Sequence, residues 1–282
     1  MNVIKISAFS DDNRGGNPAG VVLIRGSLTK TMPSEVDMQK VAADVGFSET
    51  VFAQRQHDKN NWRVRYFSPE SEVPFCGHAT IALGAALAEK YGDDSYHLSL
   101  NQAEISVQGM RQGEQYVAAL KSPPTRYQVL DQLQIDETLA LFNYQQSQLS
   151  GAIAPARIHG GADHFVLALN SADDLASMSY DLNKGRKFMH DHGLVTIMFV
   201  LIETDELFHA RNAFASGGVQ EDPATGAAAA AFAGYLRDIG WLSNNKITII
   251  QGEDMGCRSI ITAEYGAELG SSIRVSGATR KL

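Results

Sequence analysis

The chain has few of the residues that mark a secreted protein. Only 2 of its 282 residues are cysteine and only 8 are proline. Two cysteines far apart in the sequence make no disulfide framework, which predicts a reduced, cytoplasmic protein. The first residues, MNVIKISAFSDD, contain neither the apolar segment nor the cleavage site of a secretory signal peptide. We therefore expect no signal peptide.

Long apolar runs and basic clusters are also missing. The longest apolar runs, near 79–88 and 226–236, are shorter than the roughly 18 residues that a membrane-spanning helix needs. Lysine and arginine total 24 against 32 aspartates and glutamates, a net charge of −8, and the basic residues are scattered singly. We expect neither a membrane nor a nucleic acid as a partner.

The bulk composition is that of an ordinary globular protein, with 44% hydrophobic and 20% charged residues. At about 100–200 residues per domain, the length predicts two domains that each bury a core. The paired prolines of KSPPTRYQ (121–128) predict an extended linker. We expect an N-terminal domain at 1–122 and a C-terminal domain at 123–282, and we leave open whether the extreme C-terminus joins the first.

The order of predicted elements occurs twice along the chain. Each half has two strands, a helical region, two strands, a second helix and three strands, by alternation and β-branching. Three residues at the start of the second helix recur 149 positions later, which favours duplication. The matching residues are Glu72 and Glu221, Pro74 and Pro223, and Gly77 and Gly226.

The second helix of each half is apolar on every side, as ATIALGAALA and AAAAAFAGYL show. Helices of this kind are normally buried. The predicted fold class is therefore α+β, with two pseudo-symmetric domains that each wrap a curved sheet or partial barrel around a central apolar helix. Alanine and glycine dominate these helices because the sheet must approach closely.

The starts of these two helices are candidate anion sites. The first turn of a helix offers backbone N–H groups without an intrahelical partner and a partial positive charge. Gly77 and Gly226 would let a ligand approach the backbone closely. If the halves are related by a pseudo-twofold axis, both starts can face one cleft between the domains, which suits a small carboxylate.

Three ionisable side chains are candidates for the chemistry. His78 and Asp222 flank the two helix starts, and Glu49 stands between Phe47 and Phe52 in GFSETVF. Each also has a plain interpretation: a solvated first-turn histidine, an N-cap acid and a solvent-facing glutamate. The equivalent placement of His78 and Asp222 favours function, and a carboxyl in an apolar setting is suited to proton transfer.

Cys76 directly precedes one helix start. A cysteine outside a disulfide is more often a small buried hydrophobe than a nucleophile, although a helix start can activate a thiol. Cys76, His78 and the HDH at 190–192 lack the ligand spacing of a zinc motif, so we expect no metal. GGNPAG (15–20) matches no phosphate-binding loop and predicts a tight turn before a strand.

Five segments, taken together and in order, resemble the PhzF-like phenazine-biosynthesis family. The segments are GNPAGVVL (16–23), FSETVF (47–52), FSPESEVPFCGHAT (67–80), EDPATGAAAAAFAGYL (221–236) and QGEDMG (251–256). The resemblance spans nearly the whole chain. It implies a diaminopimelate-epimerase-like fold, with the active site between two domains, and a homodimer.

The resemblance also implies proton transfer at carbon without a cofactor. Glu49 matches the glutamate of the S-E-T motif, which moves a proton in the family's phenazine enzyme. His78 and Asp222 match its other catalytic positions. The substrate-binding positions that the resemblance implies are Asn17, Cys76, Gly77, Thr225, Gly226 and Ala227.

Two departures from the family's pattern bear on the substrate. The phenazine enzyme has a serine where this chain has Ala227, so one hydrogen bond to substrate is missing. Epimerases of this fold use two cysteines, and Pro223 stands where the second would be, opposite Cys76. Two-thiol racemisation is thereby disfavoured.

The sequence therefore predicts an isomerase that moves a proton on a small carboxylate-bearing metabolite. Glu49 would be the general acid and base, with no cofactor. Two alternatives stay open: an epimerase that uses Cys76 with Glu49, and a protein that binds a small acid without catalysis.

Overall fold

The computed structural model describes residues 1–24, 32–56, 60–241 and 244–282. The chain divides into two compact units. The first consists of Met1–Lys121 together with Ser276–Leu282, and the second of Ser122–Val275. The second unit is thus inserted, along the sequence, between the body of the first and its last strand.

The described residues form helices and strands in the following order. They are β1 (Ile4–Ala8), β2 (Asn17–Ile24), α1 (Glu35–Val45), β3 (Glu49–Arg55), β4 (Asn61–Phe67), β5 (Glu72–Val73), α2 (Gly77–Tyr91), β6 (Asp94–Ser99), β7 (Glu104–Gln112), β8 (Gln115–Lys121), β9 (Arg126–Val129), α3 (Gln132–Phe142), β10 (Ala156–His159), β11 (Asp163–Leu169), α4 (Ala172–Ala176), α5 (Leu182–Asp191), β12 (Thr196–Ile202), β13 (Leu207–Ala213), β14 (Glu221–Asp222), α6 (Gly226–Asp238), β15 (Lys246–Gln251), β16 (Ser259–Glu264) and β17 (Arg274–Lys281). Short 3₁₀ turns lie at 146–148, 215–217 and 253–255.

The first unit is a closed barrel of eight strands. β1 pairs with β2, and β2 runs parallel to β3. β3 pairs with β4, β4 runs parallel to β6, and β6, β7 and β8 follow as antiparallel neighbours. β17 pairs with both β8 and β1, which closes the ring.

Helix α2 fills this barrel, as its apolar sequence predicts. Its residues from His78 to Ala88 are all buried, and it contacts the barrel strands on several sides. The approach is close because small residues face each other: a Cβ on Gly84 would lie 2.6 Å from Val107 Cγ2. Helix α1 instead packs outside the barrel, where Met38 and Ala42 cover Phe52 and Phe67.

The second unit repeats the arrangement of parallel and antiparallel neighbours. β9, β10, β11, β12, β13, β15 and β16 follow one another, with parallel pairs at β11–β12 and β13–β15. Helix α6 is buried along most of its length and contacts β9, β10, β11, β15 and β16. A second core lies between the sheet and α3, α4 and α5, around Phe142, Phe165 and Phe199. The predicted fold class is confirmed.

Each unit contains an arginine–glutamate pair at equivalent positions, buried in the second unit and partly exposed in the first. Arg65 on β4 donates through two nitrogens to the carboxylate of Glu72 on β5. Arg211 on β13 donates in the same way to Glu221 on β14. Glu72 and Glu221 are one of the repeated pairs in the sequence, so the duplication extends to the contacts that hold the short strand before each central helix.

Several predicted boundaries need correction. The run AGVVLIR (19–25) predicts a strand from residue 19, but the strand begins at Asn17, because Asn17 and Pro18 already pair with Ala8 and Ser7 on β1. The turn before it is made by Gly15 and Gly16, whose φ angles are +60° and +79°. The end of that predicted strand, residue 25, lies outside the described residues.

Only the first part of the predicted linker at 121–128 is a connection between strands. From residue 126 it forms β9, which pairs with β10. Helix α3 was not expected; Asp131 caps it through a hydrogen bond from the Gln134 amide. Within the described part of the chain, no helix is long and apolar enough to span a membrane.

Candidate functional site

In the first unit, three chain segments meet at the imidazole of His78. His78 lies in the first turn of α2 and is 6% exposed. Its Nδ1 is 3.2 Å from Asn17 Nδ2, and its Nε2 is 3.3 Å from Ser48 Oγ. Because β2 and β3 are parallel, both strands start at the same end of the barrel, which brings Asn17 and Ser48 to the start of α2.

Glu49 is the second side chain of this group. Its Oε2 lies 3.3 Å from His78 Nε2, and the side chain is 14% exposed. Oε2 itself is buried and has no hydrogen-bond partner among the residues that the structure describes. A buried carboxyl oxygen of this kind has its hydrogen-bonding capacity available for a ligand or a proton.

Cys76 is the third member of the group. Its Sγ lies 3.4 Å from His78 Nδ1, and the residue is 8% exposed. The ligand atoms of Glu49, Cys76 and His78 lie within 4.8 Å of one another, a combination that transition metals accept. Sequence spacing could not show this, because Glu49 is distant along the chain. The expectation that no metal binds stays a prediction.

The start of α2 leaves room beside these side chains. A Cβ placed on Gly77 would meet no atom within 4 Å among the described residues. Cys76 occupies the N-cap position but makes no side-chain capping hydrogen bond to the helix. The helix start thus has open space beside Gly77 and, among the described residues, no side-chain cap on its first-turn amides.

In the second unit, Asp222, Thr225 and Gln251 form a tight hydrogen-bonded turn. Thr225 Oγ1 donates to Asp222 Oδ2 at 2.6 Å. The side chain of Gln251 holds both ends of the turn: its Nε2 donates to the Asp222 carbonyl at 2.6 Å, and its Oε1 accepts from the Thr225 amide at 3.2 Å. Because the Thr225 hydroxyl points to Asp222, it does not cap α6.

The two central helices differ from the other described helices in how their N-termini are capped. Neither α2 nor α6 has a side-chain cap in the described residues, whereas α1, α3, α4 and α5 are all capped. The capping residues are Ser34, Asp131, Ser171 and Asp181. The helices that the sequence singled out are thus the ones whose first turns lack a side-chain cap among the described residues.

Comparison with known proteins gives the family. The sequence model of the phenazine biosynthesis-like protein family, PhzC-PhzF, matches residues 6–280. The chain belongs to this family.

Relatives within the family carry isomerase names. An uncharacterized isomerase of Clostridium acetobutylicum is 28% identical over 97% of this chain and 93% of its own length. The trans-2,3-dihydro-3-hydroxyanthranilate isomerase of Pseudomonas fluorescens is 26% identical over 98% of this chain and 95% of its own. The resemblance found in the sequence and the expectation of an isomerase are confirmed at the level of the family.

The fold agrees with that of the family. The crystal structure of a PhzF family phenazine biosynthesis protein from Bacillus anthracis has a TM-score of 0.85, with 20% identity. The match covers 100% of this chain and 97% of the other. At this identity the likeness concerns the fold alone.

The remaining predicted site residues of this family member lie at the start of α6. Gly226 is buried in the first turn, and Ala227 beside it is partly exposed. The methyl group of Ala227 offers no hydrogen bond where the resemblance calls for a serine. The roles that the sequence assigns to Thr225, Gly226 and Ala227 stay predictions.

Sequence reasoning missed four polar side chains behind Asp222, and also Ser48. His164, Thr196, Asn212 and Gln251 are each at most 1% exposed and are hydrogen-bonded in series. The only signal in the sequence was a single polar residue in otherwise apolar strands, such as HFVLAL and TIMFVLI. Gln251 also opens the QGEDMG segment, but its partners cannot be inferred from that position.

A surface histidine near Gln251 makes stability depend on pH. His209 on β13 contacts the carboxylates of Glu203 and Glu253, the latter at 2.7 Å. Partial burial works against the charged imidazolium, but the two carboxylates outweigh it, so the pKa of His209 lies above its ordinary value. The charged His209 side chain therefore stabilises the folded state fully at pH values below about 6.5, the pKa of histidine in the unfolded chain. This stabilisation is lost as pH rises through the higher pKa of His209 in the folded state.

We accordingly expect His209→Gln to lower the melting temperature at pH 6 and to have a smaller effect at pH 9. Thermal unfolding of both proteins across this range measures the difference. His97→Gln, on an exposed strand position of the first unit, is the control. A difference that stays constant with pH would show that the two carboxylates do not hold the charged form.

Proposed function

We propose that the chain is a cofactor-independent isomerase that moves a proton between carbon atoms of a small carboxylate-bearing metabolite. The observation that carries this proposal is the Glu49 carboxyl, whose buried Oε2 lacks a hydrogen-bond partner among the described residues and lies 3.3 Å from His78 Nε2. General acid–base catalysis needs a proton carrier held in place beside its substrate.

The proposed reaction is balanced in protons, and the proton on the Glu49 carboxyl can exchange with water between the two transfers. The carboxylate of Glu49 removes a proton from one carbon, and the electron pair of the broken C–H bond shifts through the adjacent unsaturated system. The same carboxyl then donates a proton to a different carbon. His78, fixed through Asn17 and Ser48, assists by hydrogen bonding near the site of transfer.

The substrate carboxylate is proposed to bind backbone amides. The open space at Gly77 and the uncapped first turn of α2 support this role in the first unit. In the second unit, the amides near Gly226 are the proposed anion-binding groups, and Asp222 is proposed to position the substrate and assist proton transfer. An apolar or uncharged ligand would gain nothing from a helix start.

The substrate class is proposed to be an unsaturated or cyclic carboxylic acid related to, but different from, the substrate named for the Pseudomonas fluorescens relative. Ala227 supports the difference, because it lacks the hydroxyl that the phenazine enzyme has there. We also propose that the chain acts as a homodimer, as the family resemblance implies.

A one-thiol epimerase is the second candidate function. The proximity of Cys76 Sγ to His78 Nδ1, 3.4 Å, favours it, because an imidazole next to a thiol can accept its proton. In that reaction Cys76 and Glu49 would act on opposite faces of one carbon. No shift of a double bond would occur.

Deuterium incorporation tests the proposal and separates the two reactions. We expect incubation in D₂O with trans-2,3-dihydro-3-hydroxyanthranilate and a panel of unsaturated and α-amino carboxylic acids to place deuterium on carbon of at least one acid. Proton NMR of the products identifies the labelled carbon.

The variant Cys76→Ala decides which group acts. It should keep exchange within about threefold of wild type if Glu49 carries the proton, since the thiol then has no chemical role, whereas loss of about 10²-fold or more would support the epimerase. Cys257→Ala is the matched control, since Cys257 is the other cysteine of the sequence and belongs to the second unit. Binding of an acid without any exchange would show a non-catalytic protein and overturn both.

A further inference from the structure

Four buried side chains of the second unit point to a positioning system for the turn at 222–226. We propose that the polar relay, defined as His164, Thr196, Asn212 and Gln251, fixes the orientation of Asp222 and Thr225 at the start of α6. The functional importance of that turn rests on the function proposed above. The orientation itself follows from the hydrogen bonds of the relay.

The hydrogen bonds of the relay all donate in one direction, beginning with its first two members. The Thr196 hydroxyl has a single hydrogen, which it donates to Asn212 Oδ1 at 2.9 Å. The contact of 2.7 Å between Thr196 Oγ1 and His164 Nδ1 must therefore use a hydrogen on Nδ1. Complete burial lowers the pKa of His164 to about 3, so the ring is neutral and keeps this tautomer at physiological pH.

The same donor-to-acceptor direction continues through the side-chain amides of Asn212 and Gln251. With Oδ1 of Asn212 accepting, its Nδ2 donates to Gln251 Oε1 at 3.0 Å. That leaves Gln251 Nε2 to donate to the Asp222 carbonyl and to Thr225 Oγ1. Because Thr225 Oγ1 accepts this bond, its own hydrogen is directed to Asp222 Oδ2.

Each bond of the relay matches a donor to an acceptor. The Asp222 carbonyl can only accept and the Thr225 amide can only donate, so Gln251 holds the turn with Nε2 towards the carbonyl and Oε1 towards the amide. Asn212 donates to the same Oε1, and Thr196 donates to Asn212, so both keep the Gln251 side chain in this place. The consequence is a single arrangement of the Asp222 carbonyl and the Thr225 amide.

The position of these residues argues against a purely structural role. His164, Thr196 and Asn212 lie on β11, β12 and β13, each next along its strand to a fully buried apolar residue: Phe165, Ile197 and Ala213. Apolar side chains of similar size would serve packing without buried polar groups to satisfy. The relay instead ends at the turn that carries the predicted ligand groups.

Two substitutions at Thr196 test the relay. Thr196→Val keeps the shape of the side chain and removes the hydroxyl, whereas Thr196→Ser keeps the hydroxyl and removes a methyl group. We expect Thr196→Val to raise the exchange rate of the Thr225 amide hydrogen, measured by NMR, by about tenfold or more. Thr196→Ser should leave that rate near the wild-type value, although both variants disturb the core.

The controls separate local from general destabilisation. The amide of Phe199, further along β12, should exchange at similar rates in both variants, and Thr248→Val on β15 should leave the Thr225 amide unchanged. Equal exchange of Thr225 in the valine and serine variants, or a parallel rise at Phe199, would overturn the relay.

Catalysis provides an independent measurement. With an acid that shows carbon-bound deuterium exchange, kcat/KM should fall about tenfold for Thr196→Val and recover in Thr196→Ser. If no acid is turned over, the proposed function fails, while the exchange of Thr225 still decides whether the relay orients the turn. A changed Thr225 exchange with unchanged kcat/KM would reduce the relay to a structural network.

Discussion

Glu49→Gln should lower carbon-bound deuterium exchange by about 10²–10⁴-fold, the usual contribution of a general acid or base. Glutamine has the same shape and keeps the contact with His78, but it can neither take nor release a proton. Glu49→Asp should retain part of the activity, because the carboxylate remains but is withdrawn by one methylene group. Single-turnover exchange in D₂O measures all three proteins.

The stability of Glu49→Gln should not fall together with its activity. Because Glu49 Oε2 has no hydrogen-bond partner among the described residues, replacing the carboxyl removes no hydrogen bond at that atom. We expect the melting temperature of Glu49→Gln to equal or exceed that of wild type, as at other sites where function limits stability. Glu70→Gln, at an exposed position of the same unit, is the control. Full turnover by Glu49→Gln would remove Glu49 from the mechanism.

Arg211→Met should destabilise the second unit by about 3–5 kcal/mol, the usual cost of leaving a buried charge without its partner. The side chains of Arg211 and Glu221 are 12% and 6% exposed. Methionine fills much of the volume but leaves the Glu221 carboxylate unpaired. Urea-dependent hydrogen exchange, followed by mass spectrometry, measures each unit separately.

The repeated pair in the first unit is the matched control. Arg65 and Glu72 are 17% and 20% exposed, so water can solvate Glu72 after Arg65→Met. The loss should then be about half as large or less. Adding Glu221→Gln to Arg211→Met should recover part of the stability by removing the unpaired charge. Equal losses in both units, with no recovery, would contradict the argument from burial.

The parts of the fold that local pattern determines were predictable. A helix that is apolar all round has to be buried, so α2 and α6 were identified together with the sheets that surround them. The repeated Glu-x-Pro-x-x-Gly spacing marked equivalent positions, and the structure adds that each glutamate holds an arginine. Helix α3 was not predicted, although Asp131 and Gln134 form a capping box there, because the paired prolines before it indicate a linker.

The predicted site was only partly accessible to sequence reasoning. Glu49 lies near His78 because β2 and β3 run parallel and start at the same end of the barrel. The family resemblance implied a role for both residues. The polar relay was not predictable, since its members are spread from His164 to Gln251 and only strand register places them together. His164 and Thr196, for example, are direct partners across parallel strands, which no short motif encodes.

The position of β17 has a consequence for how the protein is made. Because β17 lies between β1 and β8, the first barrel cannot close until β17 has been synthesised. During translation of the second unit, β1 and β8 keep unpaired edges that can bind other strands. Closure then joins segments more than 250 residues apart, such as Ala8 and Thr279, a pairing with a high entropic cost. The first unit therefore cannot complete its barrel before the second unit has been translated.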